Sequence, residues 1–194
     1  SLSAATLMPA TAAPSPSPRF LHVGTYAPLG LGLYSFAVAA DGSLKPLGVT
    51  ANAGSPSWLA AHEGRLYAAE EGADHVAVYA QDAAGQLQLL QRQPSGGRSP
   101  AHLSVAAGRV WVAHYGDARF AALALQADGS LGAAETWPSC SATDCRPGPQ
   151  KAAKAPPGSQ ANSGHDAPHA HMIQVSPDGR WLPHFILEQI ATFE

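Results

Sequence analysis

Charge is scarce in this sequence. Of 194 residues only 13% are charged, and the net charge is −3. That leaves no basic surface for a nucleic acid, so such a partner is not expected. Long apolar runs are missing too. No window approaches the eighteen or so continuous apolar residues of a membrane-spanning helix, so no membrane span is expected. The low charge does not signal disorder, because 45% of the residues are hydrophobic and the length is ample for one core. Uninterrupted helical stretches are also absent. Nineteen glycines and seventeen prolines punctuate the chain every eight to twelve residues, which excludes helices of ordinary length and favours an all-β fold. There is no G-x-S-x-G and no G-x-x-x-x-G-K, so neither a serine nucleophile elbow nor a phosphate loop is supported. Cysteine occurs twice, as Cys140 and Cys145. Four residues between them are loose for a zinc knuckle and no second pair exists; in an exported protein a local disulfide is the better reading.

The first nineteen residues, SLSAATLMPATAAPSPSPR, are small, apolar and uncharged up to Arg19. ATAA resembles the small-residue end of a secretory signal and PSPSP an extended linker. Residues 1–19 are therefore read as a signal remnant or flexible linker, with a periplasmic or secreted location expected and a cytoplasmic one as the alternative.

What the sequence does contain is a repeat. ADGSL at 40–44 returns at 127–131, with AAGQL at 83–87 between them, so Gly42, Gly85 and Gly129 stand 43 and 44 residues apart. SPSWLA at 55–60 answers SPAHLS at 99–104, and EGRLYAAE at 63–70 answers AGRVWVAH at 107–114, each at a spacing of 44. Each unit reads as four short antiparallel strands separated by Asp-Gly, Ser-Pro and Gly-Arg turns, which is the pattern of a β-propeller blade. Residues 20–194 are thus expected to form three to four blades. Between Gly108 and Gly179 the spacing stretches to 71, and the excess falls in a Pro/Ser/Gly/Ala/Lys-rich loop at about 138–166. Aligned by this repeat, Trp58, His102 and His171 take one position, at the start of a short strand near a common channel mouth.

VGTY at 23–26, GLYSFAV with DGSLKPLG at 32–48, SPSWLA, LYAAEE, VWVAHYGD, PHAH at 168–171 and SPDGRWL at 176–182 together resemble the seven-bladed propeller lactonase family, which includes 6-phosphogluconolactonase and the carboxy-muconate cyclising enzyme. The resemblance runs from about residue 20 to 182. It implies a propeller of four-stranded blades and hydrolysis of a sugar-acid lactone, a small-molecule substrate, without cofactor or metal. It also implies that His171, six residues before Pro177, is the family's active-site histidine, with His169 beside it. His102, His114 and Tyr115 would then line the substrate rim, His114 standing where the family has an asparagine. Family members are about twice as long, and their partner arginine and glutamate belong to later blades. LPHFILEQIATFE departs from the family's Asp-Leu-Gly-x-Asp continuation, as a truncated or frame-disturbed product would. HDAPHAH offers His165, Asp166, His169 and His171 as an alternative chelating set, since His-x-His on a strand shares one face. A non-catalytic periplasmic propeller used for binding is the rival reading, and open blade edges would favour self-association.

Overall fold

The computed structural model describes residues 18–139, 169–176, 178–182, 184–186 and 189–191. Cys140, Cys145, His165, Asp166 and most of the 138–166 insertion lie outside them. All regular structure among the described residues is β. Strands β1 (Arg19–Gly24), β2 (Gly32–Val38) and β3 (Leu44–Ala51) form sheet I. β4 (Pro56–His62), β5 (Arg65–Glu70), β6 (His75–Gln81) and β7 (Leu87–Pro94) form sheet II. β8 (Pro100–Ala106), β9 (Arg109–His114), β10 (Arg119–Leu125) and β11 (Leu131–Pro138) form sheet III. β12 (Ala170–Ile173), β13 (His184–Ile186) and β14 (Gln189–Ala191) form sheet IV. Every sheet is an antiparallel meander, so the expected blades are present as two of four strands and two of three.

The repeat read from the sequence is the repeat of the sheets. Gly42, Gly85 and Gly129 each occupy the turn before an outer strand, with φ of 85°, 81° and 84°. A side chain is disfavoured in that region, so glycine recurs wherever this hairpin is built. The strands that follow each pair with a one-residue irregularity at matching places, between Ser35 and Phe36, Val78 and Tyr79, and Leu123 and Leu125.

The core lies between sheets. Residues of β5 alternate, and both faces are covered. Leu66 and Ala68 pack with Leu33 of sheet I, together with Ala77, Tyr79 and Leu87. Tyr67 and Ala69 face the other way and join Val76 and Val78 against Leu103, Val110, Val112, Ala121 and Leu123 of sheet III. Ala113 and Phe120 of sheet III then meet Ala170 and Ile173 of sheet IV. This explains why the middle strands read as nearly continuous apolar runs while the outer strands β3, β7 and β11 alternate between exposed and part-buried residues. β4 contacts β8 and β8 contacts β12, so the first strands of sheets II, III and IV lie side by side along the inner edge of the fan.

A polar staple joins sheets I and II. Glu70 is fully buried; its carboxylate accepts hydrogen bonds from Asn52 Nδ2 at 2.7 Å and Arg92 Nε at 3.0 Å, and Asn52 Nδ2 also lies 2.7 Å from the Tyr79 hydroxyl. Gly24 completes the fit. A Cβ there would sit 2.1 Å from the Pro56 carbonyl oxygen, so only glycine permits β1 to pass this close to β4.

Leu103 is 1% exposed inside the sheet II–III core, whereas Leu90 on β7 is 49% exposed. Replacing Leu103 by alanine is expected to lower unfolding free energy by about 2–5 kcal/mol, and Leu90→Ala by no more than about 0.5 kcal/mol. Urea unfolding monitored by far-UV circular dichroism measures both.

Candidate active site at the inner-strand starts

Each inner strand begins the same way. Ser55 and Ser99 have φ of 55° and 51°, then Pro56 or Pro100 opens the strand, and a bulge follows between Pro56 and Trp58 and between Pro100 and His102. In β12 the bulge falls between Ala170 and Met172. The pairing therefore aligns Trp58 and His102 with Met172, and aligns His171 with the bulged residues Ser57 and Ala101. The expected one-position register of Trp58, His102 and His171 is off by one residue at His171. Ala170, not Pro168, takes the place of Pro56 and Pro100. A bulge lets two successive residues reach towards the same side, so His171 still comes beside His102.

The rings meet there. Trp58 and His102 have centroids 4.3 Å apart at a tilt of 40°. His102 is 4% exposed, and its Nδ1 accepts the backbone N–H of Ile173 at 3.4 Å. That bond requires an unprotonated Nδ1. Burial, and then the neighbouring His171, lower the pKa of His102 to about 4, so the ring is neutral near pH 7. Tyr115 follows β9; its ring stacks on His169 at 4.0 Å and 10°, and meets His171 edge-on at 6.1 Å and 78°. His169 is buried, and its Nδ1 lies 2.7 Å from the Tyr115 carbonyl oxygen, so that nitrogen carries the hydrogen and donates it. His171 itself is exposed. The structure thus brings together His102, Tyr115, His169 and His171 at one end of the inner strands.

It does not bring His114 there. This ring is fully buried, with Nδ1 3.4 Å from the Arg119 carbonyl oxygen, and a Cβ on Gly97 would come within 2.6 Å of its Cγ. Burial lowers its pKa, opposed by the Asp117 carboxylate. The expectation that His114 contacts a substrate at the rim is corrected on this ground. His114 ends a strand packed on both faces, and only the next residue, Tyr115, emerges.

The residues the sequence reading missed are Tyr26 and Glu71. They share a repeat position with Tyr115, just after the strand that pairs with the inner strand or with its place. The backbone N–H groups of Glu71 and Tyr115 donate to the carbonyls of Ser55 and Ser99 in the same way. The Tyr26 hydroxyl donates to Glu71 Oε2 at 2.6 Å. Partial burial, and then that carboxylate, push its pKa up to about 12. The shared ending of VGTY, AAEE and VAHY was the signal, hidden because the β1–β2 loop is longer than its counterparts.

A family model described as "Lactonase, 7-bladed beta-propeller" matches residues 20–188. The chain belongs to the seven-bladed β-propeller lactonase family. Among solved structures, the chain resembles two Bacteroides proteins provisionally assigned as 6-phosphogluconolactonases. The B. fragilis protein is 26% identical with a TM-score of 0.75, over 93% of this chain and 50% of that one. The B. uniformis protein is 25% identical with a TM-score of 0.69, over 88% and 47%. The periplasmic gluconolactonase of Pseudomonas aeruginosa shares the fold at 22% identity and a TM-score of 0.70, over 91% and 49%. The chain thus spans about half the length of these structures. No curated protein gave a significant match.

The neutral, buried state of His102 has a consequence for stability. Its folded pKa is below its ordinary value near 6.5, so the unfolded chain takes up the proton first as pH falls. Stability from this group is complete above about pH 6.5 and is lost as pH drops towards about 4. Urea midpoints measured across that range are expected to fall with pH, and to fall less steeply in His102→Asn. Some slope persists in the variant because His114 is shifted in the same direction.

Proposed function

We propose that this lactonase propeller provides the histidine side of a site that hydrolyses a sugar-acid lactone. The reading is carried by one observation: three histidines and a tyrosine from sheets III and IV converge at the starts of the inner strands in a chain of the lactonase family. The names of the two Bacteroides proteins and of the Pseudomonas protein share a sugar-acid lactone as the chemical denominator. A 6-phosphogluconolactonase-like substrate is the specific form of the proposal.

Lactone opening needs a water to attack the ring carbonyl and the ring C–O bond to break. A base takes the proton of the water, and an acid returns one to the departing alkoxide. Imidazole suits both transfers because it exchanges a proton near neutral pH. We assign this role to His171, the exposed ring of the cluster. Tyr115 sits edge-on to it, and His169, stacked on Tyr115 and bonded to the Tyr115 backbone, is a positioning residue. His102 is neutral and holds β8 to β12 through the Ile173 N–H, which sets the distance at which His171 stands.

The test is lactone hydrolysis by the protein carrying this segment, followed by proton release with δ-gluconolactone and 6-phosphogluconolactone. His171→Ala is expected to lower kcat about 10²–10⁴-fold, with KM changed far less. An unchanged kcat in that variant removes His171 from the chemistry.

A further inference from the structure

We propose that Tyr26, Glu71 and Trp58 form a recognition subsite for a ring carrying free vicinal hydroxyls: the Glu71 carboxylate accepts the hydroxyl hydrogens, and the Trp58 indole covers the C–H face of the ring. The inference rests on the lactone reading of the same mouth and names the part of the substrate that sheets I and II hold.

The three residues stand at the end of the inner strands where the histidines meet. Trp58 opposes Ala69 across the β4–β5 ladder, which puts both side chains on one face. Glu71, two residues beyond Ala69, returns to that face. The bulge between Pro56 and Trp58 lets Ser57 reach towards the same side. Tyr26 arrives from sheet I. Its hydroxyl lies beside the Ser57 side chain and donates to Glu71 Oε2 at 2.6 Å, while Ser57 Oγ donates to the Pro100 carbonyl at 3.2 Å. The Trp58 ring stands 4.3 Å from that of His102, and His102 neighbours His171. A run of polar and aromatic groups thus leads from Tyr26 to the ring assigned to the chemistry.

Two groups in this run have contacts left to make. Glu70 and Glu71 are adjacent, yet only Glu70 is saturated: its Oε1 accepts from Asn52 and Arg92, and its Oε2 from Arg92. Glu71 accepts the Tyr26 hydroxyl, and its Oε1 has no hydrogen-bond partner among the described residues. No ion pair engages Glu71 among them either. A carboxylate accepts at both oxygens, and hydroxyl bonds to it are charge-assisted. Tyr26 fixes one oxygen and so aims the other. Trp58 and His102 take corresponding places in their strands, but His102 is 4% exposed and Trp58 44%. The indole therefore keeps a broad apolar surface open beside a free acceptor. A sugar ring has an apolar C–H face and a rim of hydroxyl donors, so it matches both groups at once.

Binding is followed by NMR of the intact chain with 15N-labelled tryptophan, the Trp58 indole signal being the one lost in Trp58→Phe. The probes are gluconolactam, which keeps the ring hydroxyls and resists hydrolysis, δ-valerolactam, the same ring without them, and tetramethylammonium. The proposal predicts a saturable shift of the Trp58 signal with gluconolactam and no saturation with δ-valerolactam over the same concentrations. Glu71→Gln is expected to weaken gluconolactam about tenfold or more. That variant keeps the size and an oxygen for Tyr26, so its loss reports the carboxylate and not the fold. Trp58→Ala, read from the broadening of the gluconolactam signals, is expected to weaken binding to a similar extent. The proposal is overturned by absence of saturable binding, by affinity unchanged in both variants, or by equal binding of δ-valerolactam. Displacement of gluconolactam by tetramethylammonium also overturns it, because the residues are then an aromatic cage for a cation. Hydrolysis separates this subsite from the catalytic reading. Binding with the predicted losses, in a protein that opens no lactone, upholds the subsite and removes the catalytic assignment. Lactone opening that needs His171 and is indifferent to Glu71 and Trp58 does the reverse.

Discussion

Everything in this structure depends on sheets pressed face to face through their middle strands. No single sheet here has a core of its own. Tyr67 and Val78 are buried because Leu103 and Val112 of the next sheet cover them, and Leu66 and Ala68 are buried because Leu33 and the rest of sheet I lie over them. Burying a side chain of this size stabilises by about 1.5–3 kcal/mol, and each middle strand contributes on both faces. Stability is therefore a property of neighbouring pairs of sheets, as in other repeat architectures. Where no sheet among the described residues covers a face, apolar residues such as Leu21 and Val23 are exposed.

The same packing builds the histidine cluster. Inner strands can lie side by side only if the chain enters them sharply. The positive-φ serines, the prolines and the bulges supply that entry at Ser55–Trp58 and Ser99–His102. The entry leaves one ring per sheet near the next sheet's ring, which is why Trp58 contacts His102 and His102 contacts the backbone of Ile173. The chemistry-bearing groups are thus consequences of how blades begin. Tyr26, Glu71 and Tyr115, which stand at the matching strand ends, repeat for the same reason.

Much of this was legible in the sequence. Gly42, Gly85 and Gly129 gave the period because a tight hairpin with positive φ accepts little else. The Ser-Pro and Gly-Arg landmarks located the inner hairpins. The meeting of His169, His171 and Tyr115 followed from the resemblance and not from spacing. The misses have physical causes. The register at His171 slipped by one because proline is not required at the strand start; Ala170 fills the place of Pro100, and the proline in PHAH, Pro168, is two residues further out. His114 looked like a rim residue because a polar side chain inside a doubly covered strand leaves no mark in a single sequence. The Asn52–Glu70–Arg92–Tyr79 staple was invisible because its hydrogen-bonded partners are 18 to 27 residues apart, with Asn52 just past sheet I and the others in sheet II.

Native-state hydrogen exchange on the intact chain tests the packing claim most directly. If paired sheets are the stable unit, the amides of β5, β6, β9 and β10 share the slowest exchange and one common opening free energy, and Leu103→Ala lowers all four strands together. The account is contradicted if the two central sheets open with clearly different free energies, or if that substitution speeds exchange in sheet III and leaves sheet II unchanged.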